Sequence, residues 1–373
     1  MDKLSVYNKP IELTRPYSAA SFGSRLWEFW CFGRSASDAK SLGFQYRQRI
    51  ERLSRIGTQD SVKAIVDLLS LGQARSQIGA AIFSKQGVSK NYINRILKSG
   101  ALVQLGQEAD SLNIFTLGMV AYAADEGKTH QGGCLVATLE SMISLSKNVH
   151  LHLNNEALGL RKLNAIKWIL ATRDLKDSGH ESAYMFDGVI LAAPMSSLKL
   201  EFRNATFKTD NDFVVYQPRH PTWFTTSRAL DSAEVGKKDP QFPDRIIRRI
   251  PPSWQAAEPS TGAIEISDLG HDVKRWLHND VPERMYRLLS DRPVTDKMVR
   301  DLLGGKASSW IARHTIEQGY PVYGPRSWFS DFELDELVWH TSAIEELHSS
   351  VGVSAWTGRN VANLAFQKLK DVA

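Results

Sequence analysis

Cysteine is nearly absent from this chain of 373 residues: Cys31 and Cys134 are the only two, one in a tryptophan-rich stretch and one behind a Gly-Gly pair. That argues against a disulfide framework and is compatible with a reducing compartment. Long apolar runs are missing too, and none nears the roughly 20 residues needed to span a bilayer. Met1–Asn8 lacks the apolar stretch of a secretory signal. Neither sign of charge dominates, since 46 basic side chains meet 41 acidic ones for a net +5. Pairs such as Lys237-Lys238 and Arg248-Arg249 sit in polar sequence without interleaved aromatics, which argues against a nucleic-acid platform. There is no G-x-G-x-x-G turn, P-loop, H-E-x-x-H or Ser/His/Asp order, and Asp210-Asn-Asp212 stands alone where a terpene cyclase would carry an Asp-rich metal motif.

What remains is an ordinary globular composition, 42% hydrophobic and 23% charged, long enough for about two domains or one interleaved pair. Leu4–Leu13 reads as a short hairpin around Asn8-Lys9-Pro10. From about Tyr17 to Leu105 the pattern is helical, with Trp27 and Trp30 three apart and Ile50, Leu53 and Ile56 on one face. Asp60 or Ser61 caps a helix bearing Val62, Ile65, Val66 and Leu69, which Gly72 ends. Another helix starts at Ser89, with Val88 as staple, Ile93, Ile96 and Leu97 inward, and Gly100 as its stop.

Beyond this bundle the sequence alternates short strands and turns. Val149–Leu153 has period two, with His150 and His152 on one face; two such histidines can chelate a metal, but no third ligand stands nearby and a solvated face is the better reading. Met185–Ala193 predicts a strand buried on both faces, and Phe213–Tyr216 a further strand. Asp231–Pro259 is rich in proline and charge, as in a long surface loop or an irregular connection between strands. A helix capped by Thr295 is expected within Ser290–Leu303, a strand over Leu337–Ile344, and a closing amphipathic helix over Ser354–Leu369 with Val361, Leu364 and Leu369 inward. Glu345 and Glu346 open what reads as a polar linker.

Three groups of residues carry a resemblance. Gln131-Gly-Gly-Cys134 leads into a helix, Phe186-Asp-Gly-Val-Ile-Leu-Ala-Ala-Pro194 forms a strand, and Tyr320-Pro-Val-Tyr-Gly-Pro325 precedes Ala343-Ile-Glu345 and Arg359-Asn-Val-Ala-Asn-Leu-Ala365. In this order they resemble the prenylcysteine oxidase (prenylcysteine lyase) family of flavoproteins, relatives of the amine-oxidase type of FAD enzyme. The resemblance implies an α+β protein, in which an incomplete FAD-binding α/β fold interleaves with a mixed-sheet substrate domain and a helical bundle. The implied boundaries are 1–126 for the hairpin and bundle, 127–200 and 333–373 for parts of the FAD domain, and 201–332 for substrate-domain sheet and loops.

The implied reaction is FAD-dependent oxidation of a prenylcysteine thioether. Hydride leaves the carbon next to sulfur for the flavin, water adds, and a thiol and an aldehyde result while oxygen becomes hydrogen peroxide. The resemblance places Gly132 and Gly133 near the flavin, Val149 at the adenine end, Pro194 beside the nucleotide, and Ile344, Glu345 and Val353 toward the pyrophosphate and ring. The expected partner is a small apolar or prenylated substrate, with no nucleic acid and no transmembrane segment. Because the family's glycine-rich start is not in this sequence, three readings stay open: an oxidase whose first segment lies outside these residues, a shortened and repurposed relative acting without cofactor as an isomerase or cyclase on a terpenoid-like metabolite, and a non-enzymatic binding protein. Ten Trp, ten Tyr and fifteen Phe are enough to line an apolar pocket, although aromatics more often fill cores. If Met1 is the natural start the chain is cytoplasmic; a natural N-terminal stretch would admit lysosome, vacuole or secretion.

Overall fold

The computed structural model describes residues 30, 32–123, 135–176, 179–205, 214–227, 230, 245–249, 263–273 and 283–372. They form an α+β architecture that divides into a larger unit of residues 26–124, 153–219 and 316–373 and a smaller unit of 1–25, 125–152 and 220–315. Strands are numbered along the chain.

The larger unit starts with α1, Ser35–Glu51, whose Ala36, Ala39, Gly43 and Tyr46 make a narrow buried stripe. Small residues there permit a close crossing with a later helix, Ile114–Ala123. A Cβ on Gly43 would stand 2.1 Å from the Gly118 carbonyl oxygen, and one on Gly118 2.7 Å from the Tyr46 ring. Ser61 caps α2, Val62–Leu68, accepting the Ala64 N–H at 3.1 Å, and Val62, Ile65 and Val66 are buried. Gly72 does not end this helix: Ser70 takes the left-handed turn at φ 53, and Gly72 begins α3, Gly72–Ser76. Next come α4, Gly79–Lys85, and a helical run over 90–105 (α5) with a π turn at Ile93–Leu97. Ser89 caps α5 as expected, but Gly100 does not stop it. A Cβ there would meet Val120 Cγ1 at 3.0 Å, so Gly100 is a packing residue, and the stop is Gly106 at φ 63. The helix Ile114–Ala123 is α6. Trp30 is 89% exposed and lines no core face; Trp27 and the Leu4–Leu13 hairpin lie outside the described residues.

One sheet of this unit has the order β3-β2-β1-β5, from β1 Asn155–Asn164, β2 Lys167–Asp174, β3 Glu181–Phe186 and β5 Glu201–Arg203. A second has the order β12-β13-β4, from β4 Val189–Leu191, β12 Glu333–Asp335 and β13 Val338–His340, with β4 and β13 parallel. The predicted strand over Met185–Ala193 is therefore two strands in two sheets, broken at Asp187-Gly188. Met185 and Phe186 are exposed, not buried on both faces, and Gly188 leaves room for the Trp339 ring. The Leu337–Ile344 strand is likewise shorter: Leu337 has φ 61, and Ser342–Glu346 is a 3-10 turn.

The C-terminal helix, Val351–Val372, buries Val353, Trp356, Val361 and Ala365, with Leu364 and Leu369 partly buried against the same core. Asn360 ties it to the start of the unit, its Oδ1 accepting the Gln59 N–H at 2.7 Å and its Nδ2 donating to the Gln59 carbonyl at 2.8 Å.

Strand β6, Tyr216–Thr226, begins at the last residue of the Phe213–Tyr216 segment that was expected to be a strand; Val214 and Val215 are not in a ladder, and Phe213 lies outside the described residues. Its first residues pair with β11, Ile316–Pro321, in the larger unit. Its residues from His220 onward belong to the smaller unit, in an antiparallel sheet ordered β10-β6-β9-β8-β7. The others are β7 Arg245–Arg249, β8 Ala263–Val273, β9 Glu283–Ser290 and β10 Trp310–Arg313. Strand β7 lies within the stretch expected to be irregular, its charged sequence being compatible with an edge position. Phe224, Ile266, Tyr286 and Leu288 pack with Met298, Val299 and Leu302 of the helix Asp296–Leu302, capped by Thr295. Among the described residues no helix is long and apolar enough to cross a membrane.

Candidate functional site

In the larger unit the turn after β13 carries two adjacent glutamates in different environments. Glu346 is 3% exposed and accepts the Ser330 N–H at 2.8 Å and the Ser330 hydroxyl at 2.6 Å, while Arg326 pairs with it at 3.0 Å. Burial raises its pKa, and the Ser330 hydrogen bonds and the two arginines pull against that rise. Arg75, from α3, is 1% exposed: Nη1 donates to the Thr116 hydroxyl at 3.2 Å and Nη2 to the Glu346 carbonyl. Its guanidinium lies 5.9 Å from the centres of both the Tyr323 and Phe329 rings. Burial lowers its pKa to about 10, which still leaves it charged at neutral pH.

Glu345 is half-buried, and its side chain accepts a hydrogen bond from the Tyr216 hydroxyl. Burial raises the Glu345 pKa against the opposing effect of that bond, and burial followed by the same bond raises that of Tyr216. Tyr323 is 2% exposed and also pushed up, first by burial and then by the Glu345 charge. His348 is held down to about 4 by burial and by Arg75. The arrangement thus combines a Glu346 held by Ser330 and Arg326 with a half-buried Glu345 hydrogen-bonded to a phenol.

The residues singled out in the sequence are distributed unevenly. Gly132 and Gly133 lie outside the described residues. Val149 does not sit in a strand: residues 149–152 join no ladder, and Val149 and Leu151 are more than half exposed. Alternation specifies a strand only where a neighbour supplies the ladder, and no described residue does so here. Pro194 precedes the 3-10 turn Met195–Ser197 behind β4. Ile344 and Val353 are core residues at 1% and 4% exposure, and their main chain is engaged within the protein: the Ile344 carbonyl accepts from the Leu347 and His348 N–H groups, and the Val353 N–H donates to the Ser350 hydroxyl. Glu345 and Glu346 do not form a solvated linker. Sequence reasoning missed Arg75 and Tyr216; the Glu-Glu pair after an apolar run is the one signal that pointed toward the cluster.

A dinucleotide would find a fitting group at the N-terminus of the C-terminal helix. Over 22 residues the peptide dipoles align, Val351 is 65% exposed, and a Cβ on Gly352 would meet nothing within 4 Å. A phosphate could approach the main chain there closely.

Three comparisons bear on this geometry. A solved structure of a putrescine oxidase double mutant covers 88% of this chain and 75% of its own at 10% identity and a TM-score of 0.47; wild-type putrescine oxidase bound to putrescine gives the same coverage and identity at 0.44. Both scores are too low to assign a shared fold. Mouse (Mus musculus) prenylcysteine oxidase 1-like is 23% identical over 360 residues, spanning 92% of this chain and 69% of its own. The family model for prenylcysteine lyase matches residues 52–373, a stretch that takes in α2, the Glu345 and Glu346 turn and the whole C-terminal helix. On that match, the chain belongs to the prenylcysteine lyase family.

Proposed function

We propose that this chain is a prenylcysteine-oxidase-like protein that oxidises an S-alkyl cysteine thioether with FAD as cofactor. The family match over residues 52–373 is the observation that carries the reading. When bound, FAD would supply the hydride acceptor, with molecular oxygen as the final oxidant.

The chain's own residues would supply placement. Val351 and Gly352 at the exposed helix N-terminus suit the pyrophosphate, and the family resemblance adds Pro194, Ile344, Glu345 and Val353 of the same unit to the nucleotide's surroundings. At Glu345 the main chain rather than the side chain fits that part, because a carboxylate and a pyrophosphate repel each other.

The test is to purify the chain with added FAD, desalt it, record its visible absorption, and measure peroxide and aldehyde on adding S-farnesylcysteine. Stoichiometric flavin with peroxide formation supports the reading. A colourless protein that converts a terpenoid-like substrate would replace it with cofactor-free catalysis, and a colourless, inert one would leave a binding role.

A further inference from the structure

A sheet edge is a row of main-chain donors and acceptors, and the open edges of this chain are not protected alike. The edge strand β7 of the smaller unit carries Arg245, Arg248 and Arg249, and the edge strand β5 is only Glu201–Arg203, charged at both ends. Strand β3, Glu181–Phe186, ends the order β3-β2-β1-β5, and among the described residues no strand lies on its other side. Ser182–Phe186 holds no charge and no proline, and its pairing with β2 runs without a bulge. The Asp174 N–H donates to the His180 carbonyl at 3.0 Å, which sets the alternation along the ladder. Ser182, Tyr184 and Phe186 therefore turn their main chain toward β2, and Glu181, Ala183 and Met185 turn theirs to the open edge.

The side chains of this edge are also poorly covered. Tyr184 shares a cross-strand row with Leu160 and Leu170, and Phe186 shares one with Trp168. Leu160 and Trp168 are buried, whereas Tyr184 and Phe186 are 47% and 41% exposed, so the apolar rows lose their cover where the sheet stops. The charges that flank the edge are neutralised within the chain, Glu181 by Arg173 at 2.8 Å and Asp187 by Lys167. A like edge can approach without charge repulsion. We infer that β3 pairs antiparallel with the β3 of a second copy about a two-fold axis. The three outward residues are centred on Ala183, which puts Ala183 beside its own mate and Glu181 beside the partner's Met185. The pairing adds about six main-chain hydrogen bonds and continues the Leu160-Leu170-Tyr184 row onto the partner's Ser182.

Sedimentation velocity on the purified chain from about 1 to about 100 µM tests this, because so small a contact belongs with micromolar self-association. The parent is expected to pass from monomer to dimer across that range. Ala183→Pro removes an N–H that faces the open edge and takes none from β2, so the ladder is kept while the pairing is lost. Ala183→Lys sets two like charges on the two-fold axis, and it decides the matter should the proline variant not fold. Each variant is expected to raise the dimer dissociation constant at least tenfold while keeping the parent's circular dichroism spectrum. A parent that stays monomeric at about 100 µM overturns the inference, as does a dimer that persists undiminished in either folded variant.

Discussion

Asn113 and Tyr323 are joined twice: the Asn113 side-chain amide donates to the Tyr323 carbonyl at 2.6 Å, and the Asn113 main-chain N–H donates to the same oxygen at 3.1 Å. Asn113 is fully buried, and its Oδ1 accepts the Thr116 N–H at 2.9 Å, so one side chain both caps α6 and holds the Tyr320–Pro325 segment. That segment cannot form a helix because of its prolines, and its main-chain groups need such outside partners.

Asn113→Ala should therefore remove a cap and leave a buried carbonyl poorly satisfied. A loss of about 2–4 kcal/mol is expected from the two effects together. Urea unfolding, compared at equal slope between parent and variant, measures it.

Arg75 offers a second test. Arg75→Leu removes the cation stacked on Tyr323 and Phe329 and leaves the Glu346 carbonyl and Thr116 without their donor, an expected cost of about 3–5 kcal/mol. Arg75→Lys keeps the charge but cannot reach both acceptors with a planar fork, and should cost about 1–3 kcal/mol. Adding Glu346→Gln to Arg75→Leu should cost less than the sum of the two single changes, because the groups share one network.

Acid should weaken the larger unit through His340. This residue is 2% exposed, and burial lowers its pKa to about 4 against the effect of its hydrogen bond to the Asp331 carbonyl at 2.9 Å. Unfolded, it titrates near 6.5, so between about 6.5 and about 4 the unfolded chain binds the extra proton. Stability is then lost as pH falls through that window, by up to about 3 kcal/mol. Glu345 and Glu346 act with the opposite sign: their raised values mean that the folded form is protonated first, and stability is gained as pH falls toward 4.5. The difference in urea midpoint between parent and His340→Gln should therefore narrow from pH 7 to pH 4, and a constant difference would count against the assignment.

Glycines separate packing from propensity. Gly43→Ala should destabilise by about 2–4 kcal/mol, because its Cβ would collide with the α6 backbone. Gly358→Ala, in the C-terminal helix with nothing within 4 Å of the new Cβ, should stabilise by about 0.5–1 kcal/mol. Thermal melts followed by circular dichroism compare them directly.

Legibility in the sequence follows the range of the interaction. Ser61, Ser89 and Thr295 were readable as caps because a cap is settled within four residues, and each accepts a main-chain N–H three positions on. Gly100 misled because its meaning is set by what packs against it, Val120, 20 residues on, and Gly72 because Ser70 takes the left-handed turn in its place. The apolar run at Met185–Ala193 could not reveal that its halves join different sheets, since strand partners lie far away in the chain. The Arg75 cluster was hidden for the same reason: its contact with Glu346 closes a separation of 271 residues.

The clamp between Asn360 and Gln59 closes a separation of 301 residues, and it has a consequence for synthesis. At ribosomal speeds of about 5–20 residues per second, the early helices of the larger unit must wait roughly 15–60 s for the segment that covers them. Through that interval the core that Val62 and Ile65 share with Val353, Trp356 and Val361 stays incomplete, so the larger unit can close only once its last helix has emerged.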